Sequence, residues 1–201
     1  MNSTSVTLIA LLLWISACNR SDKNTKIEAA LASEKTSEDL PELSIYNSTT
    51  SWQTQDSDTL QLKSLRGKIR VVAMMYTNCQ YACPRLVADM KSIESSLGDS
   101  VDEIGFVLAS IDTRNDTPEK LKRFAIENNL GSEWLLLHGS ENDILELAAM
   151  LGVQYQRSSE TDFAHSNVLS VLNEDGEIVY QQNGLGLKDE TVATIKALVT
   201  P

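Results

Sequence analysis

The sequence predicts an α/β fold in which a central mixed sheet is flanked by helices. Two observations carry this reading. Near-continuous apolar runs rich in β-branched residues alternate with stretches of helical periodicity, the pattern of strands buried on both faces and joined by crossover helices. A hairpin signal and a last helix then close the chain. At 201 residues, one domain with short extensions is expected.

The run Ile69 to Tyr76 (IRVVAMMY) reads as the first buried strand. Pro84 to Leu97 follows as a helix, with Leu86, Met90, Ile93 and Leu97 at spacings of four, three and four. Ile104 to Ile111 is a second buried strand. Thr117-Pro118-Glu119 supplies a cap and a proline at the first helical position, and Gly131 is the expected stop of that helix. Trp134 to Leu137 reads as a short strand, and Glu141 to Leu151 as a helix ended by Gly152. Asn167 to Leu172 and Ile178 to Gln181 flank Asn173-Glu174-Asp175-Gly176, which signals a hairpin. Lys188 to Val199 is the final helix. This order of elements suggests a sheet of thioredoxin-like type.

Composition bounds the function. With 42% hydrophobic and 22% charged residues the chain is globular rather than disordered. Its 28 acidic and 17 basic side chains give a net charge of −11, which argues against nucleic acid as a partner and against adhesion to anionic lipid by charge. Three cysteines are too few for a disulfide-built scaffold, so the fold must rest on a core. No apolar run approaches the roughly 20 residues that span a bilayer. Val6 to Ala17 instead has the length of a signal-peptide core, and it ends at Ser16-Ala17-Cys18. Small residues before a cysteine resemble a bacterial lipoprotein signal; a plain secretory signal with an incidental Cys18 is the alternative. The expectation is a signal peptide over 1–17, a lipidated Cys18, a solvated tether over 18–43 and a folded domain over 44–201. The protein would then be exported and anchored to a cell membrane, facing the periplasm or cell exterior. A diacylated cysteine provides the two chains that stable anchoring needs.

The chemistry concentrates in Thr77-Asn78-Cys79-Gln80-Tyr81-Ala82-Cys83-Pro84, at the C-terminal end of the first buried strand and the mouth of the next helix. Loops at strand C-termini carry function in such sheets, and a helix N-terminus stabilises a thiolate. Three intervening residues place Cys79 and Cys83 about one helical turn apart, so both sulfurs can converge. Such a pair can close a disulfide or hold one soft metal ion, with Cu(I) leading because thiolate is a soft ligand. A purely structural disulfide across so small a ring would stabilise by only about 2 kcal/mol. Of the two histidines, His138 lies at a strand exit and reads as structural. His165 stands just before the hairpin strand, where a thioredoxin-like sheet would face it toward the cysteine loop. Two thiolates and one imidazole suit three-coordinate Cu(I), whereas zinc normally takes a fourth ligand.

These residues resemble the Sco/SenC copper-chaperone family. The resemblance runs from Leu65-Arg66-Gly67-Lys68 and Tyr76 to Pro84, through Ser110-Ile111-Asp112 with Asp116-Thr117-Pro118, to Trp134-Leu135-Leu136-Leu137-His138-Gly139. It continues into His165-Ser166 and Asp175-Gly176, covering about Leu60 to Gly184 with its motifs in order. It implies a membrane-tethered thioredoxin-like domain that carries copper on Cys79, Cys83 and His165 and assists assembly of the copper site of cytochrome c oxidase. Many members place an aspartate directly before this histidine; here that position is Ala164, and Asp162 lies two residues earlier. The usual aromatic before the Tyr-Thr pair is also replaced, by Met74 and Met75. Three readings compete: a copper metallochaperone, a thiol–disulfide oxidoreductase using Cys79 and Cys83 as a redox pair on an oxidase subunit or other exported protein, and a redox or copper sensor. The histidine has a task only in the first, which ranks ahead.

Overall fold

Seven strands form one twisted sheet because three long apolar segments pair side by side in its middle. A computed structural model describes residues 39–186 and 188–199. The expected signal segment, Cys18 and the tether as far as residue 38 lie outside the described residues. A compact unit begins at Leu40. Its elements run β1 (Ser51–Thr54), β2 (Thr59–Gln61), β3 (Ile69–Met75), α1 (Ala82–Leu97), β4 (Ile104–Ser110), α2 (Pro118–Glu127) and β5 (Trp134–His138). Then follow α3 (Glu141–Met150), β6 (Tyr155–Arg157), β7 (Phe163–His165), β8 (Val168–Leu172), β9 (Ile178–Asn183) and α4 (Asp189–Val199). No helix among the described residues is long and apolar enough to cross a membrane.

The sheet order is β2-β1-β5-β4-β3-β8-β9. Strands β3, β4 and β5 are parallel, with Val72 opposite Val107 and Val107 opposite Leu135. The edges are antiparallel: β8 pairs with β3 and β9 with β8 on one side, β1 with β5 and β2 with β1 on the other. Parallel neighbours need long crossovers, and α1 and α2 supply them. Every residue of β4 is buried, and in β3 only Arg70 is partly exposed, which is why both read as unbroken apolar runs. This is the mixed sheet flanked by helices that the sequence predicts. Phe106 and Trp134 stack across β4 and β5 with ring centroids 4.8 Å apart, and Trp52 is fully buried at the other end of β5, against Gly139.

The hairpin forms where Asn173-Glu174-Asp175-Gly176 predicts it. Gly176 has φ +83°, and a Cβ there would lie 2.5 Å from the ring of Tyr46, so the turn needs glycine on both counts. One boundary differs from expectation. Helix α2 ends at Glu127 rather than running to Gly131, because Asn129 takes the left-handed conformation (φ +52°) that asparagine tolerates. The hairpin β1–β2 and the two-stranded ribbon β6–β7 are additions that the sequence pattern does not announce. The ribbon is a separate sheet, with Tyr155 opposite His165.

Candidate metal centre

The end of β3 hands the chain to a loop that a buried carboxylate fixes. Asp116, fully buried, accepts the backbone N–H of Thr77 at 2.9 Å and the hydroxyl of Thr77, and it accepts Ser110 Oγ at 2.6 Å. Lys120 Nζ lies 3.3 Å from the same carboxylate and 2.9 Å from Asn78 Oδ1. A buried charge is costly unless paired and hydrogen-bonded, and here it is both. The loop carrying Cys79 is therefore pinned at its start.

Helix α1 begins at Ala82 with no side-chain oxygen capping it. The sulfur of Cys79 takes that place, accepting the N–H of Cys83 at 3.3 Å. Burial opposes ionisation of Cys79, but the N–H groups of Cys83, Tyr81 and Ala82 and the neighbouring Cys83 thiol outweigh it and hold the Cys79 thiol below its ordinary value. Cys83 is different. It is fully buried, and burial, the adjacent Cys79 sulfur and the charge of Asp116 push its thiol far above the ordinary range. The two thiols, both unbridged, are thus unequal: one half-exposed and acidic, the other enclosed and protonated.

His165 arrives from the ribbon. Its Nε2 lies 3.8 Å from Cys83 Sγ, and its Nδ1 lies 3.1 Å from the carbonyl oxygen of Ser166. A carbonyl only accepts, so Nδ1 carries the proton and Nε2 presents its lone pair to the cysteines. Burial lowers the imidazole pKa below 6.5, partly offset by the Ser166 carbonyl, so the ring is neutral at pH 7. The three donor atoms of Cys79, Cys83 and His165 all lie within 4.8 Å of one another. A trigonal ion with metal–sulfur and metal–nitrogen bonds of about 2.3 and 2.0 Å needs donors about 3.7–4 Å apart. The three residues fit such an ion with little adjustment. Among the described residues this is the one such three-donor group, and His138 is not part of it.

Several residues that build the site escape a sequence reading. Tyr76 packs its ring on Phe163 at 5.2 Å and edge-on to His165 at 5.8 Å, and its hydroxyl donates to the Asp162 carboxylate. Arg157 pairs with buried Asp112 at 3.2 Å and lies 4.2 Å over the ring of Phe163. Ala164 is exposed, because strand alternation turns Phe163 and His165 inward and position 164 outward. The missing aspartate there therefore leaves the donor set untouched. Met74 and Met75 are buried and fill core space. Beside Cys79 a polar cleft of about 480 Å³ opens between Asn78, Gln80, Tyr81 and Asp162.

The SCO1/SenC family model matches residues 44–200. A SCO1/SenC family lipoprotein from Bacillus anthracis is 26% identical, with a TM-score of 0.69 over 75% of this chain and 93% of its own. BsSco, described with a disulfide switch and as a member of the Sco family of cytochrome c oxidase assembly proteins, is 26% identical, with a TM-score of 0.65 over 75% of this chain and 91% of its own. ScoI of Bradyrhizobium japonicum, solved with copper bound, is 21% identical and shares the fold at a TM-score of 0.65 over 74% of this chain and 96% of its own. With the matched region spanning the whole sheet, the cysteine loop and the histidine ribbon, this chain belongs to the SCO1/SenC family.

Proposed function

We propose that this chain is a copper metallochaperone that binds one copper ion through Cys79, Cys83 and His165 and delivers it to the copper-bearing subunit of cytochrome c oxidase. The carrying observation is the convergence of two sulfurs and a neutral imidazole nitrogen within 4.8 Å. Two thiolates and one imidazole satisfy Cu(I), and the imidazole also suits Cu(II). The copper-bound ScoI and the oxidase-assembly description of BsSco support the same assignment. A partner can take the ion by ligand exchange, its own donor replacing Cys79 at the open side of the site while Cys83 stays enclosed. Lipidation at Cys18 would hold the domain at a membrane on the exported side, in keeping with the lipoprotein relative from Bacillus anthracis. The test is copper transfer from the loaded chain to a purified copper-free oxidase subunit domain. Stoichiometric transfer supports the reading; copper retained by a chain that binds it would refute delivery.

A second reading has its own support. The Cys79 thiol is acidic and its sulfur sits against the N–H of Cys83, an arrangement that favours attack on a client disulfide and closure of a Cys79–Cys83 disulfide. In that exchange the client gains two electrons and two protons, and the cysteine pair loses them. Reduction of a client's cysteines by a chain carrying His165→Ala at the wild-type rate would favour this reading.

A further inference from the structure

We propose that the Tyr76 hydroxyl and the Asp162 carboxylate form a latch that positions His165, so that both are positioning residues for the copper site although neither is a ligand. The inference rests on the copper reading above and deepens it. Cys79 and Cys83 sit on a loop and helix anchored to the central sheet. His165 does not. It lies on β7, whose only ladder partner among the described residues is β6, and among those residues the ribbon makes no strand pairing with the main sheet. Ser166 and Asn167 alone connect it to β8. Beyond the backbone bond from the Gly184 N–H to the Asn167 carbonyl at 2.8 Å, side chains set where its Nε2 falls.

Two ties do so. One is Arg157 on β6, paired with Asp112 at the end of β4 and stacked over Phe163. The other lies nearer the imidazole. Tyr76 immediately follows β3, and its hydroxyl donates to Asp162 Oδ1, the oxygen that also accepts the N–H of Phe163 at 3.0 Å. The same hydroxyl reaches the carbonyl of Phe163 at 3.4 Å. Its ring contacts both Phe163 and His165. The hydroxyl thus grips the residue just before β7, three positions before His165, from the strand end that leads into Cys79. A hydrogen bond to a carboxylate is roughly twice as strong as a neutral one, which suits a tie that must resist ribbon motion. Phenylalanine at position 76 would keep the ring contacts and lose the latch together with the hydroxyl's interaction with the Cys79 thiol, whereas Asp162 variants remove the latch alone.

The experiment uses Tyr76→Phe, Asp162→Ala and Asp162→Asn, each in wild-type and His165→Ala backgrounds. Cu(II) affinity is read by competition with a chelator. Outer partners of metal ligands typically contribute 10–100-fold. Tyr76→Phe and Asp162→Ala should each lower affinity about tenfold in the wild-type background, at the low end of that range. Asp162→Asn, which keeps an acceptor oxygen, should recover most of it. In the His165→Ala background neither Asp162 variant should matter, which a merely structural role would not produce. On the metal-free protein, the nuclear Overhauser contact between the Tyr76 ring and the His165 imidazole should weaken in Asp162→Ala. Equal losses of Asp162→Ala in both backgrounds, or wild-type affinity of that variant together with an unchanged contact, would overturn the latch. If the wild-type chain took up no copper, the copper reading would fail, and the metal-free contact would still decide for or against the latch.

Discussion

Cys83 Sγ and His165 Nε2 face each other at 3.8 Å, although 82 residues separate them in the chain. The first is held on α1 by the sheet, the second on a ribbon outside it. Neither a lone histidine nor a closely spaced cysteine pair makes a three-donor site; their meeting does.

The inequality of the thiols should be visible in alkylation. Iodoacetamide should modify Cys79 with a midpoint below the ordinary thiol value, because the N–H groups around its sulfur favour the thiolate. Cys83, buried and raised, should stay unmodified in the folded chain and react only on unfolding. Mass mapping at several pH values checks this, and equal rates at both cysteines would contradict it.

Asp116 should matter for stability more than its distance from any ligand suggests. Asp116→Ala leaves the Thr77 N–H and hydroxyl and the Ser110 hydroxyl without their acceptor, while Lys120 keeps Asn78 Oδ1. A buried donor left unpaired costs about 1–3 kcal/mol. Asp116→Asn keeps an oxygen for Thr77 and should lose less. Urea unfolding measures both, and a loss near zero for the alanine variant would show that the loop is held otherwise.

Copper affinity should fall on acidification in two ways. Both thiols must lose protons on binding, so affinity falls with pH across the neutral range. His165 adds to this only when it is protonated. Because burial lowers its pKa, it stays neutral down to below pH 6.5, and the extra loss begins beneath that value. A plot of log affinity against pH should steepen by one proton there in the wild type and lack that break in His165→Ala. A break above pH 6.5 would contradict the buried, neutral ring.

Lipidation of Cys18 predicts that Cys18→Ser releases the exported protein from membranes. Fractionation of cells carrying each form tests it. An unchanged membrane fraction would assign anchoring to something else.

Much of this was legible in the sequence because burial on both faces leaves a strong signature. Strands β3 and β4 carry unbroken apolar runs, and the Asn173–Gly176 turn carries hairpin chemistry. The ribbon was not legible. Tyr155–Arg157 and Phe163–His165 are three residues each, too short for any periodicity to show. The end of α2 was misplaced because Gly131 offered a stronger stop signal than Asn129, which bends the chain first. At the site, the spacing of Cys79 and Cys83 at a strand end announces chemistry by itself, whereas His165 stands out through family resemblance. The ties of Tyr76 to Asp162 and Arg157 to Asp112 join residues 86 and 45 positions apart, and no local pattern marks them.

The most direct test of the account is copper titration of the reduced domain, with stoichiometry and affinity measured for wild type, Cys79→Ser, Cys83→Ser, His165→Ala and His138→Ala. The three-donor site predicts one ion per wild-type chain, near-complete loss of binding in either cysteine variant, and Cu(II) affinity lowered at least tenfold in His165→Ala. His138→Ala should match wild type. Wild-type affinity in His165→Ala for both oxidation states, or in either cysteine variant, would contradict it.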